Sequence, residues 1–361
     1  MKAQAKTKIL LILTGGTICS FADSSGERVS DTKKAETLIV SNFRESDSEY
    51  RSEERVFFDA RFPLDILSEN MTAAHWNTLV NALKSYSFDD YDGVIILHGT
   101  DTLAYTASLL SLLLAGIKIP VFLISSQLPI YMKEANGNEN FRAAAELIAN
   151  GIAPNVYAIY RNSETINGKE TKTTYLHYAA HLLQCASHSD NFYSQDMMPT
   201  EAWRTAKPCG YEGEMPLYSI NSLSSGVLRL EPYVGIDYSH YRLKRVNAVL
   251  HGTYHSCTAA ARVYKDGTKR PDKKSSHSLL WLIAKCKRRG IPLFLSPCDK
   301  NAYDYETTGE LLRNGAKAIY GMTDEMTYAK LLVGVSLGYK GVALEKYLGE
   351  SLCGEFIYSK R

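Results

Sequence analysis

Short apolar runs alternate along this chain with longer stretches of helical period. In Ile9–Leu13, Gly93–Leu97, Val121–Ile124 and Val156–Tyr160 the apolar residues do not alternate with polar ones. That is the pattern of strands covered on both faces by helices. Between them, Thr72–Tyr86 carries Trp76, Leu79, Val80 and Leu83 at helical spacing, with a start signal at Asn70 or Thr72. Thr102–Leu114 and Asn140–Ile148 read as further helices. The alternation predicts an α/β domain built on a mainly parallel sheet.

From about Met197 to Ser225 the pattern lapses into a stretch marked by Pro199, Pro208, Gly210, Gly213 and Pro216. A second series then begins, with strands at Val227–Leu230, Val246–Leu250 and Pro292–Leu295 and helices at Ser278–Arg288, Tyr305–Arg313 and Glu325–Leu337. The expectation is two α/β domains: a larger N-terminal one over residues 1–200, a linker over 201–222, and a smaller one over 223–361. Ile96-Leu97-His98-Gly99-Thr100 recurs as Val249-Leu250-His251-Gly252-Thr253. Shared turn chemistry after a buried strand explains the echo; so do two related halves, each presenting a loop at the carboxyl ends of its strands.

The length of 361 residues is more than one core usually spans, which also favours two domains. Lys and Arg number 41 against 39 Asp and Glu, and they are spread along the chain. This excludes the electrostatic footprint of a nucleic-acid or anionic-membrane binder and points to a small-molecule partner. The seven cysteines are odd in number and never spaced C-x-x-C, so they read as reduced thiols rather than a disulfide frame or zinc site. His177 and His181 sit four apart without a further ligand nearby, and no metal is expected. Lys2, Lys6 and Lys8 before Ile9–Leu13 imitate a signal peptide, but the run is too short and enters a glycine turn. The longest apolar stretch, Ser108–Ile119, is broken by Gly116 and Lys118 and falls short of the roughly 20 residues of a membrane span. A cytoplasmic chain without a membrane segment is expected.

Ligands of open α/β sheets bind beyond the carboxyl ends of the strands. Two loops there stand out: Thr14-Gly15-Gly16-Thr17 after the first strand, and His98-Gly99-Thr100-Asp101-Thr102 after a later one. Each sets a threonine hydroxyl where backbone N–H groups crowd, and the second adds a carboxylate. A threonine hydroxyl becomes a nucleophile once a base takes its proton, and an anionic intermediate needs donors aimed at it. The same residues also serve as strand-to-helix turns capped by threonine and aspartate.

Leu13-Thr14-Gly15-Gly16-Thr17-Ile18 and His98-Gly99-Thr100-Asp101-Thr102 closely resemble the two signature motifs of the bacterial-type L-asparaginase family. The likeness continues through Ser68-Glu69-Asn70-Met71-Thr72, Pro120-Val121-Phe122-Leu123, Asn138–Asn140 and Gly321–Leu332, nearly the whole chain. It implies two α/β domains and hydrolysis of the side-chain amide of L-asparagine, or of L-glutamine, with no cofactor and no metal. It makes Thr17 the nucleophile and Thr100 the second essential threonine. Asp101 grips the substrate ammonium and contacts the proton network, and Ser68 and Glu69 hold the substrate's α-carboxylate and α-ammonium. It also implies a homodimer or homotetramer in which a neighbour's C-terminal domain completes each site; the loop Gly252-Thr253-Tyr254-His255-Ser256 is the candidate contributor, with plain packing at a strand end as the alternative.

The lysine of the family's Thr–Lys–Asp arrangement has two registers here. Lys172 keeps a Thr-Lys-Thr context at a family-like distance from Val156–Tyr160; the register set by Phe192-Tyr193-Ser194 puts Gln184 in its place. A lysine beside a carboxylate can carry a proton, whereas a glutamine cannot. The segment Ser20–Asp31 reads as a lid, yet it lacks the tyrosine that the family's first loop usually carries. Glu69 stands where the family often has glutamine or serine, placing a second carboxylate beside Asp101. Ser68-Glu69-Asn70-Met71 also resembles the asparaginase-like subunits of archaeal tRNA-dependent amidotransferases. Gly334-Val335-Ser336-Leu337-Gly338 matches a nucleophile elbow, but no histidine follows Ser336 to complete its triad. These departures leave open, beside the asparaginase, a glutaminase and an amino-acid sensor of low turnover on the same scaffold.

Overall fold

The computed structural model describes residues 6–166, 168–264, 272, 275–298 and 305–357. They form two compact units, one running up to Ile220 and including Leu352–Gly354, the other from Asn221 to Ser351 and including Glu355 onward.

The first unit runs β1 (Thr7–Leu13), β2 (Ser20–Ala22), β3 (Arg28–Ser30), α1 (Thr32–Glu45), β4 (Val56–Arg61), α2 (Ala73–Lys84) and β5 (Gly93–Leu97). It continues with α3 (Leu103–Leu113), β6 (Val121–Ile124), α4 (Gly137–Ala149), β7 (Val156–Ile166), β8 (Lys169–Tyr178), β9 (Met198–Pro199) and α5 (Pro216–Ser219). Among the described residues, one sheet has the order β4-β1-β5-β6-β7-β8-β9, parallel from β4 to β7 and antiparallel at β8 and β9. Ile9–Leu13 and all of β5 and β6 are buried, which is why these strands read as unbroken apolar runs.

The helices follow from caps and stripes. Asp31 caps α1 by accepting from Lys34 N, and the helix buries Ala35, Ile39 and Phe43, spaced by four. Thr72 and His75 form a reciprocal cap on α2, which buries Trp76, Leu79, Val80 and Leu83. Helix α3 is buried almost all round. No described helix is long and apolar enough to cross a membrane.

Two expectations change form. Of residues 201–222, read as a linker, those up to Ile220 belong to the first unit: Leu217 and Ile220 are fully buried, and Cys209 N donates to Pro154 O at 2.9 Å. The apolar residues among the prolines are what anchor it. The segment read as a lid is an antiparallel hairpin, β2–β3, with Phe21 opposite Val29. Its turn is closed by the Asp23 carboxylate, which accepts from Ser25 N (2.8 Å), Ser25 Oγ (2.6 Å) and Glu27 N (3.0 Å).

The second unit contains β10 (Val227–Leu230), β11 (Ala248–His251), α6 (Leu279–Lys287), β12 (Leu293–Cys298), α7 (Glu306–Arg313), β13 (Lys317–Tyr320), α8 (Asp324–Ser336) and α9 (Gly341–Gly349). Its sheet runs β10-β11-β12-β13, all parallel, around Leu230, Tyr238, Val249, Leu282 and Leu295. Lys330 of α8 and Glu355 are both fully buried and ion-paired. Lys330 also donates to Glu350 O and lies 4.9 Å from the Phe356 ring centroid, while Ser351 Oγ donates to Glu355. This pair fastens the chain after α9 onto α8.

Removing one partner of such a pair strands a buried charge, at about 3–5 kcal/mol. Chemical denaturation of Glu355→Ala should show a loss of that size, and Lys330→Met with Glu355→Leu should recover most of it. The buried His98, His177 and His251 supply a pH dependence. Burial holds them at about 4, 3 and 4 respectively, below an unfolded value near 6.5. Between those limits the unfolded chain binds protons that the native one refuses. Stability is therefore present above about pH 6.5 and falls as the pH drops toward 4, by up to about 1.4 kcal/mol per unit per histidine. Denaturation midpoints across pH 4–7 should show this slope, and His98→Asn should make it shallower.

Candidate active site

Strand β1 lies between β4 and β5, so the loops at their carboxyl ends are neighbours on one rim of the sheet. The chain leaves β1 toward β4 and crosses back to β5, which makes this rim a switch point of the kind where ligands bind. Thr14 N donates to Leu97 O (3.1 Å), Gly16 N to Ile66 O (2.7 Å) and Ile66 N to Thr14 O (3.2 Å). The Thr14–Thr17 loop is thereby laced to both flanking loops.

Two glycines meet closely at this rim. A Cβ built on Gly16 would lie 2.2 Å from Gly99 Cα, and one on Gly99 would lie 2.3 Å from Ser68 Oγ. Gly16 also has φ +84°, a left-handed conformation that side chains disfavour. Backbone meets backbone here because neither residue carries a side chain. The contact brings Thr17, Ser68 and Thr100 into one cluster.

The four threonines of the two loops divide into two pairs. Thr14 Oγ1 donates to Leu97 O (2.9 Å) and Thr102 Oγ1 to Ser68 O (3.0 Å), so both serve the loops themselves. Thr17 and Thr100 are half-buried, and their hydroxyls have no hydrogen-bond partner among the described residues. Asp101 and Glu69 are exposed, while Ser68 is buried and accepts from Asp101 N at 3.2 Å. His98 lies under the cluster, fully buried, its Nδ1–H donating to Gly99 O at 2.8 Å. Burial holds it neutral near pH 7, so it braces the loop rather than exchanging protons.

Lys172 lies on β8. It pairs across the β7–β8 hairpin with Ser163, beyond the end of β6. Strand β8 is three strands from β5, about 14 Å at ordinary strand spacing. The Lys172 ammonium lies 3.5 Å from Glu170, and its side chain is 49% exposed. Gln184 does reach the cluster: its Nε2 donates to Thr100 O at 2.8 Å and its Oε1 accepts from Ala104 N at 3.3 Å. His177 and His181 turn to separate partners, Ser194 for the first and Asp196 and the Gly354 carbonyl for the second.

Sequence reasoning overlooked two contacts at the hairpin. Tyr131 stacks on Phe21 at 5.7 Å, and Asp65 accepts from Ser30 Oγ (2.5 Å) and Thr32 N (3.4 Å), tying the hairpin's base to the Ser68 loop. Neither residue sits in a motif or a periodic stretch, so no local signal announces them.

Gly99→Ala would wedge a methyl group between Ser68 and Gly16 and is expected to destabilise the first unit by about 1–3 kcal/mol. Gly16→Ala adds left-handed strain and should cost at least as much. Thermal denaturation of the two variants beside Gly151→Ala, whose Cβ meets open space, separates the clash from backbone strain.

A family profile described as "Asparaginase, N-terminal" matches residues 8–205. L-asparaginase 1 of Escherichia coli (strain K12) is 27% identical over 363 residues, covering 97% of this chain and 98% of that protein. The solved structure of the thermostable L-asparaginase from Thermococcus kodakarensis has the same fold, with a TM-score of 0.72 at 21% identity over 98% of this chain and 100% of its own. L-asparaginase I from Vibrio cholerae O1 biovar eltor has a TM-score of 0.64 at 24% identity, with coverage of 98% and 100%. With a profile covering more than half of its length, the chain belongs to the asparaginase family.

Proposed function

We propose that this protein hydrolyses the side-chain amide of L-asparagine to L-aspartate and ammonia. The observation that carries this reading is the contact of Gly16 with Gly99, which gathers two uncommitted threonine hydroxyls beside Asp101, Ser68 and Glu69. The Thr17 hydroxyl attacks the amide carbon, its proton passes to the departing nitrogen, and the C–N bond breaks to leave an aspartyl ester and ammonia. Water then attacks the ester carbon, the C–O bond to Thr17 breaks, and the hydroxyl regains its proton. Thr100 orients the water and relays protons, with Asp101 as the neighbouring acceptor. Backbone N–H groups of the glycine-rich loops provide donors for the oxyanion.

Asp101 and Glu69 place two carboxylates where an α-ammonium would sit, favouring free amino acids over peptides. This reading does without Lys172, whose ammonium faces Glu170. In keeping with the resemblance, the reading includes a cytoplasmic homodimer or homotetramer whose neighbouring copy completes each site with its Gly252–Ser256 loop. L-Glutamine is the alternative substrate, and kcat/KM on the two amides ranks them.

One observation favours a second reading. Lys172 pairs with Glu170 at 3.5 Å, and a site working without the family's proton-carrying lysine would suit an amino-acid sensor of low turnover. Ammonia release from L-asparagine decides between them. The enzyme should turn over, and Thr17→Ala and Thr100→Ala should each lower kcat by about 10³-fold or more while still binding L-aspartate in calorimetry. Binding of asparagine by the parent protein without ammonia release would select the sensor.

A further inference from the structure

We infer that Gln184 is a positioning residue that, together with Ser68, locks the peptide plane between Thr100 and Asp101. The inference deepens the proposed function and rests on it for its kinetic reading. The two ends of that peptide are held from different parts of the chain. Its carbonyl, Thr100 O, accepts from Gln184 Nε2 at 2.8 Å, in addition to the local turn bond from Leu103 N. Its N–H, on Asp101, donates to Ser68 Oγ at 3.2 Å.

A peptide unit is rigid, so its orientation fixes ψ of the residue before it and φ of the residue after it. Those two angles aim the Cα–Cβ bonds of Thr100 and Asp101 relative to each other. A plane held at one end can rock; held at both, it cannot flip without breaking a hydrogen bond. The hydroxyl and the carboxylate are thereby set in a fixed relation before any ligand arrives, which is where positioning contributes to rate.

The carboxamide of Gln184 suits this task. Its Oε1 accepts from Ala104 N at 3.3 Å, an early N–H of α3 that the helix cannot satisfy itself. Thr102, which precedes the helix, makes no side-chain cap. The fork therefore reads one donor and one acceptor, and turning the amide over would set like groups against each other. The backbone leading to Gln184 is fixed as well: Leu182 is fully buried and bridges to Ser194, and Leu183 N donates to Tyr193 O at 3.0 Å.

Two substitutions separate capping from locking. Gln184→Met keeps the length and loses both hydrogen bonds; Gln184→Glu keeps the acceptor for Ala104 N but cannot donate to Thr100 O. Both should lower kcat on L-asparagine about 10- to 100-fold with KM changed less than about threefold. Gln184→Glu should also move the acid limb of the kcat/KM profile to higher pH, because it adds a further carboxylate to the Asp101 and Glu69 pair. If Gln184→Glu keeps the parent kcat and only Gln184→Met falls, the residue is a helix cap and the inference is overturned; it is overturned equally if both stay within twofold of the parent. Should the parent protein release no ammonia from either amide, the proposed function fails, and the lock is read instead by amide hydrogen exchange. Exchange at Asp101 and Leu103 should then quicken about tenfold or more in both variants, and unchanged rates in Gln184→Glu would overturn it.

Discussion

The site depends on a contact between two backbones. Gly16 and Gly99 touch where any side chain would hold their loops apart, and Ser68 lies against the far side of Gly99. The residues with chemical potential are neighbours of this junction in the chain, so they converge without needing attraction of their own. The sheet order makes the meeting possible, because β1 is flanked by the strands that carry the other two loops. Hydrophobic burial thus sets the coarse positions, and the absence of two side chains sets the fine ones.

Much of the fold is legible in the sequence, for a reason particular to central strands. β5 and β6 coincide with their apolar runs residue for residue, because strands inside a parallel sheet tolerate little that is polar. α1 and β4 leave no such trace. Helix α1 buries only Ala35, Ile39 and Phe43 behind a charged surface, apart from the threonine that opens it, and β4 is an edge strand with only Val56 fully buried. The two loops are legible because glycine and threonine after a buried strand are specific. Gln184 is not, since a carboxamide that bonds 84 residues away follows no local period. Lys172 shows the converse: its Thr-Lys-Thr context matches the family, while pairing in the hairpin sets it toward Glu170.

The echo between the units extends to hydrogen bonding. His251 Nδ1–H donates to Gly252 O at 2.6 Å, as His98 does to Gly99 O, and both rings are fully buried. The surroundings differ. Tyr238 donates its hydroxyl to His251 Nε2 at 2.8 Å, and the carboxylate of Glu231 lies over Gly252 where Ser68 lies over Gly99. Thr253 donates to Pro297 O at 2.6 Å, whereas the Thr100 hydroxyl is uncommitted. One local geometry thus commits its threonine to the backbone in the second unit and leaves it uncommitted in the first.

The β2–β3 hairpin illustrates how anchoring distributes freedom. At its root, Asp31 N donates to Cys19 O and Asp65 binds both Ser30 and Thr32, while the Asp23–Glu27 tip is closed by its own aspartate. The root is thus tied to the body by bonds to other segments, and the tip only by bonds within the turn. A ligand near Thr17 would therefore feel the hairpin through its middle, where Phe21 sits between Tyr131 and the Lys34 ammonium.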